Sequence, residues 1–171
     1  MSPIRRDRSG RVEPAERPYR MGVGIVLINA RGLVFAGQRF DHYHEAWQMP
    51  QGGIDRGEAP RDAALRELEE ETGVTPALIE LIAESRDWLR YDLPDELMDS
   101  VWRGRFRGQE QKWFAAHFLG EDADIDVRTP HQEFARWRWA APGELLGTIV
   151  PFKRALYEAV FEEFAAHLGR G

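Results

Sequence analysis

Residues 52–74 read GGIDRGEAPRDAALRELEEETGV. A glycine-rich loop (Gly52, Gly53, Gly57) runs into a segment that carries Glu67, Glu69, Glu70 and Glu71. Pro60 suits the first turn of a helix and Gly73 its C-terminal cap, so the spacing predicts a helix over residues 60–72. On that helix Glu67, Glu70 and Glu71 stand at i, i+3 and i+4 and share one face, while Ala64, Leu65 and Leu68 supply an inner face. Like charges stacked in this way oppose the helix by a few tenths of a kcal/mol per pair. A divalent cation relieves that cost, and donors made only of oxygen suit Mg2+, Ca2+ or Mn2+.

The rest of the composition narrows the setting. A chain of 171 residues suits one domain with a sizeable core. Cysteine is absent, which excludes disulfides and thiolate metal sites. No apolar run approaches the roughly 18 residues of a membrane helix, and the first twenty residues lack the apolar centre of a signal peptide, so the expected location is the cytoplasm. The net charge of −6 argues against a protein that coats nucleic acid, and no DNA partner is expected. Positive charge is local. Arg5, Arg6, Arg8, Arg11, Arg17 and Arg20 outnumber Asp7, Glu13 and Glu16, and Arg103, Arg105 and Arg107 form a second cluster.

Residues 1–18 show no periodicity and are expected to form a flexible, arginine-rich tail before a single domain over residues 19–171. The apolar run over 22–29 and the segment over 33–39 flank the turn Ala30-Arg31-Gly32 and read as a hairpin. His42 and His44, in a polar loop, read as loop surface. Short strands are expected over 47–50 and 88–91 and a longer one over 78–87, with an irregular insertion over 95–108. Strands are also expected over 112–119 and 136–140, the latter alternating as a half-buried strand does. A short helix is expected over 142–146. A long amphipathic helix starts at Pro151, with Phe152, Leu156, Val160, Phe164 and Leu168 at helical spacing. This order suggests an α/β sandwich built on a mixed sheet.

A run such as RELEEE alone is usually a solvated helix face. Here Gly52, Glu58, Arg66-Glu67-Leu68, Glu70-Glu71 and Gly73-Val74 are fixed relative to one another, and a chance match in such a chain is on the order of 10⁻⁷. This is the pattern of the Nudix box, and the chain resembles a Nudix hydrolase. The resemblance implies an αβα sandwich with a mixed sheet, the box forming its loop–helix–loop motif. It implies cleavage of a nucleoside diphosphate linked to another moiety. It also implies Mg2+ or Mn2+ held by Glu67, Glu70 and Glu71, helped by a backbone carbonyl of Gly52 or Gly53. Arg66 can orient Glu70 by charge-assisted hydrogen bonds, Glu58 would brace the loop, and the general base would be Glu67, Glu70 or the downstream Glu133. A nucleotide-sensing module without catalysis would be expected to lack a box carboxylate, and none is missing.

Four further patches, WQMPQGGID (47–55), WLRYDLP (88–94), GQEQKWF (108–114) and Glu133-Phe134 ahead of Trp137-Arg138-Trp139, join Phe152-Lys153-Arg154. Together they are similar to the subfamily that holds bacterial RNA pyrophosphohydrolases and plant-type dinucleoside tetraphosphate hydrolases. By that resemblance Tyr91 and Phe152 would flank a base by stacking. Lys112, Arg39 and Arg20 would contact phosphates, and Glu133 would complete the metal site. Two substrates follow: the 5′-triphosphate end of RNA, losing pyrophosphate, and diadenosine tetraphosphate, cut to ATP and AMP. Gln38 stands where enterobacterial RNA pyrophosphohydrolases have an extra arginine, and Glu45-Ala46-Trp47-Gln48-Met49 is similar to the alphaproteobacterial and plant branch. The oligomeric state has no signature in the sequence.

Overall fold

The apolar run over 22–29 lies in strand β1 (Tyr19–Ile28) of a computed structural model that describes residues 3–40 and 45–169. β1 is flanked on both edges. β7 (Gly108–Phe118) runs parallel to it from the pair Tyr19↔Gly108 to the pair Ile28↔His117. β4 (Gln51–Gly53) is antiparallel to it, with Gly22 opposite Gly53 and Gly24 opposite Gln51. A strand covered on both faces has no reason to alternate, which is why this stretch reads as continuous apolar sequence.

β2 (Val34–Arg39) turns back from β1 and pairs antiparallel with β3 (Trp47–Gln48) and with β8 (Phe134–Ala140). β5 (Ile79–Glu84) and β6 (Leu89–Asp92) both pair antiparallel with β7. Among the described residues the result is one mixed sheet of eight strands. Helix α1 (Pro60–Thr72) covers one face, where Ala63, Ala64 and Leu68 meet Val23, Ile25, Leu27 and Phe114. Helices α2 (Pro142–Thr148) and α3 (Arg154–Glu163) cover the other, where Leu145, Leu156, Tyr157 and Val160 meet Val26, Ile28 and Trp113. Ala63 thus joins Ala64 and Leu68 on the inner face of α1, and Leu65 is only partly buried.

Three expectations shift. β7 begins at Gly108, ahead of the apolar run that suggested Lys112, because the polar residues Gln109 and Gln111 pair with β1 and β6. The long C-terminal helix is divided: the turns Pro151–Lys153 and Ala165–His167 flank α3 as tight 3-10 segments. Residues 3–18, expected as part of a flexible tail, are anchored at Arg17, which is buried and bonds to Met98 and Asp99; Pro14–Glu16 forms a turn, and Arg6 bridges Val12 within a largely exposed stretch. The loop histidines His42 and His44 lie outside the described residues. No helix among the described residues is long and apolar enough to cross a membrane.

Candidate active site

Helix α1 spans the predicted residues. Pro60 opens it, and Gly73 closes it in the left-handed conformation (φ 74°), donating its N–H to the carbonyl of Glu69. At its centre Arg66 binds the preceding loop to the helix. Its Nε and Nη2 form a fork on Glu58, each at 2.8 Å, and Nη2 also donates to the carbonyl of Gly53 at 3.0 Å. Nη1 donates to Glu67 at 2.9 Å and to Glu70 at 3.2 Å. Glu58 in turn accepts the N–H of Asp55, so it braces the loop. The Arg66 fork holds the Glu58 carboxyl down to about 2, and the same bonds keep Arg66 firmly protonated.

Glu67 and Glu71 are in a different environment. Glu71 is 2% exposed and accepts the N–H of Gln51 at 3.0 Å. Burial pushes its carboxyl well up, and the charges of Glu67 and Glu133 add to the push. Burial also raises Glu67, with Glu70 and Glu133 adding to it, while Arg66 opposes. The carboxylates of Glu67, Glu71 and Glu133 therefore feel one another in a cleft of about 500 Å³ that all three line. Among the described residues no three carboxylates or imidazoles form a closed ligand set, and Arg66 draws Glu67 and Glu70 towards itself. Mutually repelling oxygen donors, without nitrogen or sulfur, nevertheless match a hard divalent cation.

The glycines of the loop have a steric purpose. A Cβ on Gly52 would fall 2.1 Å from the Glu67 carboxyl carbon, and one on Gly53 would fall 2.2 Å from Nη2 of Arg20. Each glycine lets a charged side chain lie flat on the backbone.

Arg20, Arg39, Tyr91 and Phe152 also line the cleft, but two expectations need correction. Tyr91 and Phe152 do not flank a gap. Their rings pack on each other at 5.8 Å, tilted by 39°, whereas a base held between two rings needs about 7 Å, twice the contact distance of carbon atoms. Tyr91 is only 7% exposed and donates its hydroxyl to Gln109. Lys112 is not in the cleft either. Successive residues of a strand point to opposite faces, and on β7 Gln109, Gln111 and Trp113 face the α3 side. Lys112 faces the α1 side, where Nζ donates to the carbonyl of Arg86 at 3.1 Å and pairs with Glu84 at 3.9 Å.

The cation that does enter from the C-terminal half is Lys153, which the sequence offers only as the neighbour of Phe152 at the start of an apolar stripe, with no role of its own. It is 3% exposed, its Nζ lies 5.2 Å from the centre of the Tyr91 ring, and its charge favours the ionised form of Glu71. Gln48, Gln51, Gln109 and Trp102 are further lining residues that sequence reasoning did not single out. Gln109 is 2% exposed. Its Oε1 accepts from Tyr91 and from Gln111, while its buried Nε2 has no partner among the described residues. A two-residue period starting at Gly108 is the signal that would have found it.

Comparison with known proteins agrees with the box and the fold. The NUDIX domain matches residues 18–160. The RNA pyrophosphohydrolase of Roseobacter denitrificans is 57% identical over 156 residues, covering 91% of this chain and 98% of that protein. The RNA pyrophosphohydrolase of Rhodospirillum rubrum is 59% identical over 148 residues, covering 86% and 88%. Among solved structures, the E. coli dihydroneopterin triphosphate pyrophosphohydrolase superposes with a TM-score of 0.67 at 19% identity, covering 84% of this chain and 97% of that one. A C. elegans Ap4A hydrolase complex gives 0.64 at 20% identity, covering 86% and 98%. At such identities the structural likeness speaks for the fold alone. With the box complete, its helix formed and the domain matched over most of its length, the chain belongs to the Nudix family.

Proposed function

We propose that the chain is a divalent-metal-dependent pyrophosphohydrolase that removes pyrophosphate from the 5′-triphosphate end of RNA and leaves a 5′-monophosphate. The observation that carries this reading is the cleft itself. Its lining divides in kind between the carboxylates Glu67, Glu71 and Glu133 with the Gly52-Gly53 backbone, and the apolar side chains Leu93, Leu97 and Trp102. That division suits a substrate with a polyphosphate at one end and a nucleoside at the other. The identity to named RNA pyrophosphohydrolases over most of the chain supports the same substrate.

Mg2+ or Mn2+ would be held by Glu67, Glu70, Glu71 and Glu133 with the carbonyl of Gly52. When bound, such an ion neutralises phosphoryl oxygens and makes a bound water more acidic. The chain's own residues do the rest. Arg66 fixes the helix to the loop, so the carboxylates keep their mutual placement as the substrate arrives. Lys153, Arg20 and Arg39 present positive charge to the phosphates, and the Nε2 of Gln109 offers a donor to a substrate oxygen. Arg66 draws on the charge of Glu67 and Glu70, and Glu71 is buried against the N–H of Gln51. We therefore assign Glu133 as the carboxylate that takes the proton of the attacking water.

One kinetic experiment tests the substrate. With 5′-triphosphorylated RNA and diadenosine tetraphosphate offered together in Mg2+, kcat/KM should favour the RNA, and chelator should abolish turnover of both. A strong preference for the dinucleotide would transfer the assignment to asymmetric cleavage into ATP and AMP.

Stability tests the carboxylates independently. Glu67 and Glu71 have folded values above the ordinary carboxylate value, so the folded chain binds more protons than the unfolded chain above about pH 4.3. The stability they contribute is fully present below that value and is lost as pH rises through the raised ones. A cation binds only the ionised carboxylates and reverses this loss. In chelator, Tm is expected to fall as pH is raised from 5 to 8, and the increment from Mn2+ or Mg2+ should be larger at pH 8 than at pH 6. Thermal denaturation monitored by circular dichroism reads both, and a pH-independent metal increment would contradict the assignment.

A further inference from the structure

Part of the cleft wall comes from the segment between β6 and β7, which supplies Leu97, Ser100, Val101 and Trp102. Its backbone is unusual. Trp102 (φ 49°, ψ 35°) and Arg103 (φ 58°, ψ 27°) both adopt the left-handed conformation, followed by Gly104 (φ 71°). For residues with a Cβ this conformation is costly, and it persists only where the surroundings over-determine it.

The surroundings here are the N-terminal residues. Arg17, 6% exposed, donates from Nη1 to the carbonyl of Met98 at 3.0 Å, from Nη2 to Asp99 at 2.8 Å and from Nε to the carbonyl of Val12 at 3.1 Å. Arg11 reaches the same Asp99 at 3.7 Å. At the far end of the segment, Arg107 donates its Nη1 to the carbonyl of Ala15 at 2.9 Å and its backbone N–H to Pro18 at 3.0 Å. Both ends of the strained turn are thus fastened to one N-terminal strap.

The strain places an indole. Trp102 is half-buried and lines the cleft, with Phe106 packed edge-on against it at 6.1 Å. The guanidinium of Arg20 lies 5.3 Å from the ring centre and rests on Gly53. The indole therefore stands next to the Gly52-Gly53 loop, with Arg20 between them. Tyr91 and Phe152 are closed on each other, so no base fits between them.

We propose that Trp102 is a nucleobase-stacking residue of this cleft and that Arg17 is the residue that positions it. The inference rests on the reading of the substrate as a nucleoside polyphosphate. It assigns a substrate role to the strained turn and a positioning role to the strap.

Two probes separate a contact with the base from a general effect on the fold: a methylene-bridged adenosine triphosphate analogue, and the corresponding methylene-bridged triphosphate without a nucleoside. Their affinities for the Mg2+-loaded protein are measured by calorimetry. Trp102→Ala is expected to weaken the nucleotide analogue roughly tenfold and to leave the base-free probe within about twofold. Trp102→Phe should restore most of the loss. Arg17→Ala should weaken the same probe, and the double variant Arg17→Ala/Trp102→Ala should bind it no more weakly than Trp102→Ala alone, because both act through one contact. Unchanged affinity for the nucleotide analogue in Trp102→Ala overturns the proposal, as does an equal loss for both probes. Strict additivity of the two substitutions overturns the role of Arg17. A wild-type chain that shows the Trp102 effect but leaves triphosphorylated RNA uncut would remove the RNA reading and leave this one standing.

Discussion

Glu71→Gln is expected to lower kcat by about 10²–10³-fold, since the charge stabilisation supplied through a carboxylate-held metal is worth several kcal/mol and each 1.36 kcal/mol is tenfold in rate. The substitution is chosen for what it retains. Glu71 is buried and accepts the N–H of Gln51, and a glutamine oxygen can accept the same bond, so helix and loop keep their contact. What is lost is one negative charge at the place where Glu67 and Glu133 already repel it. In chelator the variant should therefore be at least as stable as the wild type, with the difference growing as pH rises. With Mn2+ its thermal increment should shrink. Turnover within threefold of wild type would mean that Glu71 is a structural carboxylate and that the metal is held elsewhere.

Arg66→Lys is the second large effect, with a loss of about 10–100-fold in activity, as expected for a group that orients metal ligands without touching the metal. The guanidinium serves Glu58, Glu67, Glu70 and the carbonyl of Gly53 together. A lysine ammonium keeps the charge but is a compact point on a flexible stem and cannot span that set. The loss should therefore appear mainly as weaker metal affinity, partly recovered at high Mg2+. A pH signature separates this from simple unfolding. The folded value of Glu58 is depressed to about 2, so its contribution to stability is present above the ordinary carboxylate value and disappears as pH falls towards 2. Wild type should therefore lose Tm as pH falls from 4.5 to 3.5, whereas Arg66→Lys, which already lacks this contribution at neutral pH, should lose less over the same range. Equal acid sensitivity of the two proteins would show that Arg66 does not fasten the loop.

What could be read from the sequence was what depends on spacing along one element. Pro60 and Gly73 mark the ends of α1 through local backbone chemistry, and the box glutamates fall on it by helical geometry alone. The unbroken apolar run of β1 announced a strand covered on both sides. What could not be read depends on neighbours distant in sequence. Lys112 stands out as a cation next to Trp113, but whether it meets the substrate depends on which face of β7 it occupies, and one residue of register decides that. Lys153 is hidden because an amphipathic stripe suggests packing, and only the fold reveals that the stripe begins beside Tyr91. Tyr91 and Phe152 do share the cleft, but their closure on each other is a packing fact with no sequence pattern. Arg17 looked like one more solvated arginine, because its partners, the carbonyl of Met98 and the side chain of Asp99, lie some eighty residues away in the chain.

The parallel pairing of β1 with β7 has a consequence for how the chain acquires its structure. β1 can be complete early in synthesis, yet the partner for its whole length arrives roughly 90 residues later. Closing so long a loop costs entropy before any contact rewards it, so assembly of this sheet is expected to be slow. Until β7 emerges, β1 presents a bare apolar edge of the kind that recruits other strands. Chains ended before Gly108 are therefore expected to aggregate, although they already carry the entire acidic helix.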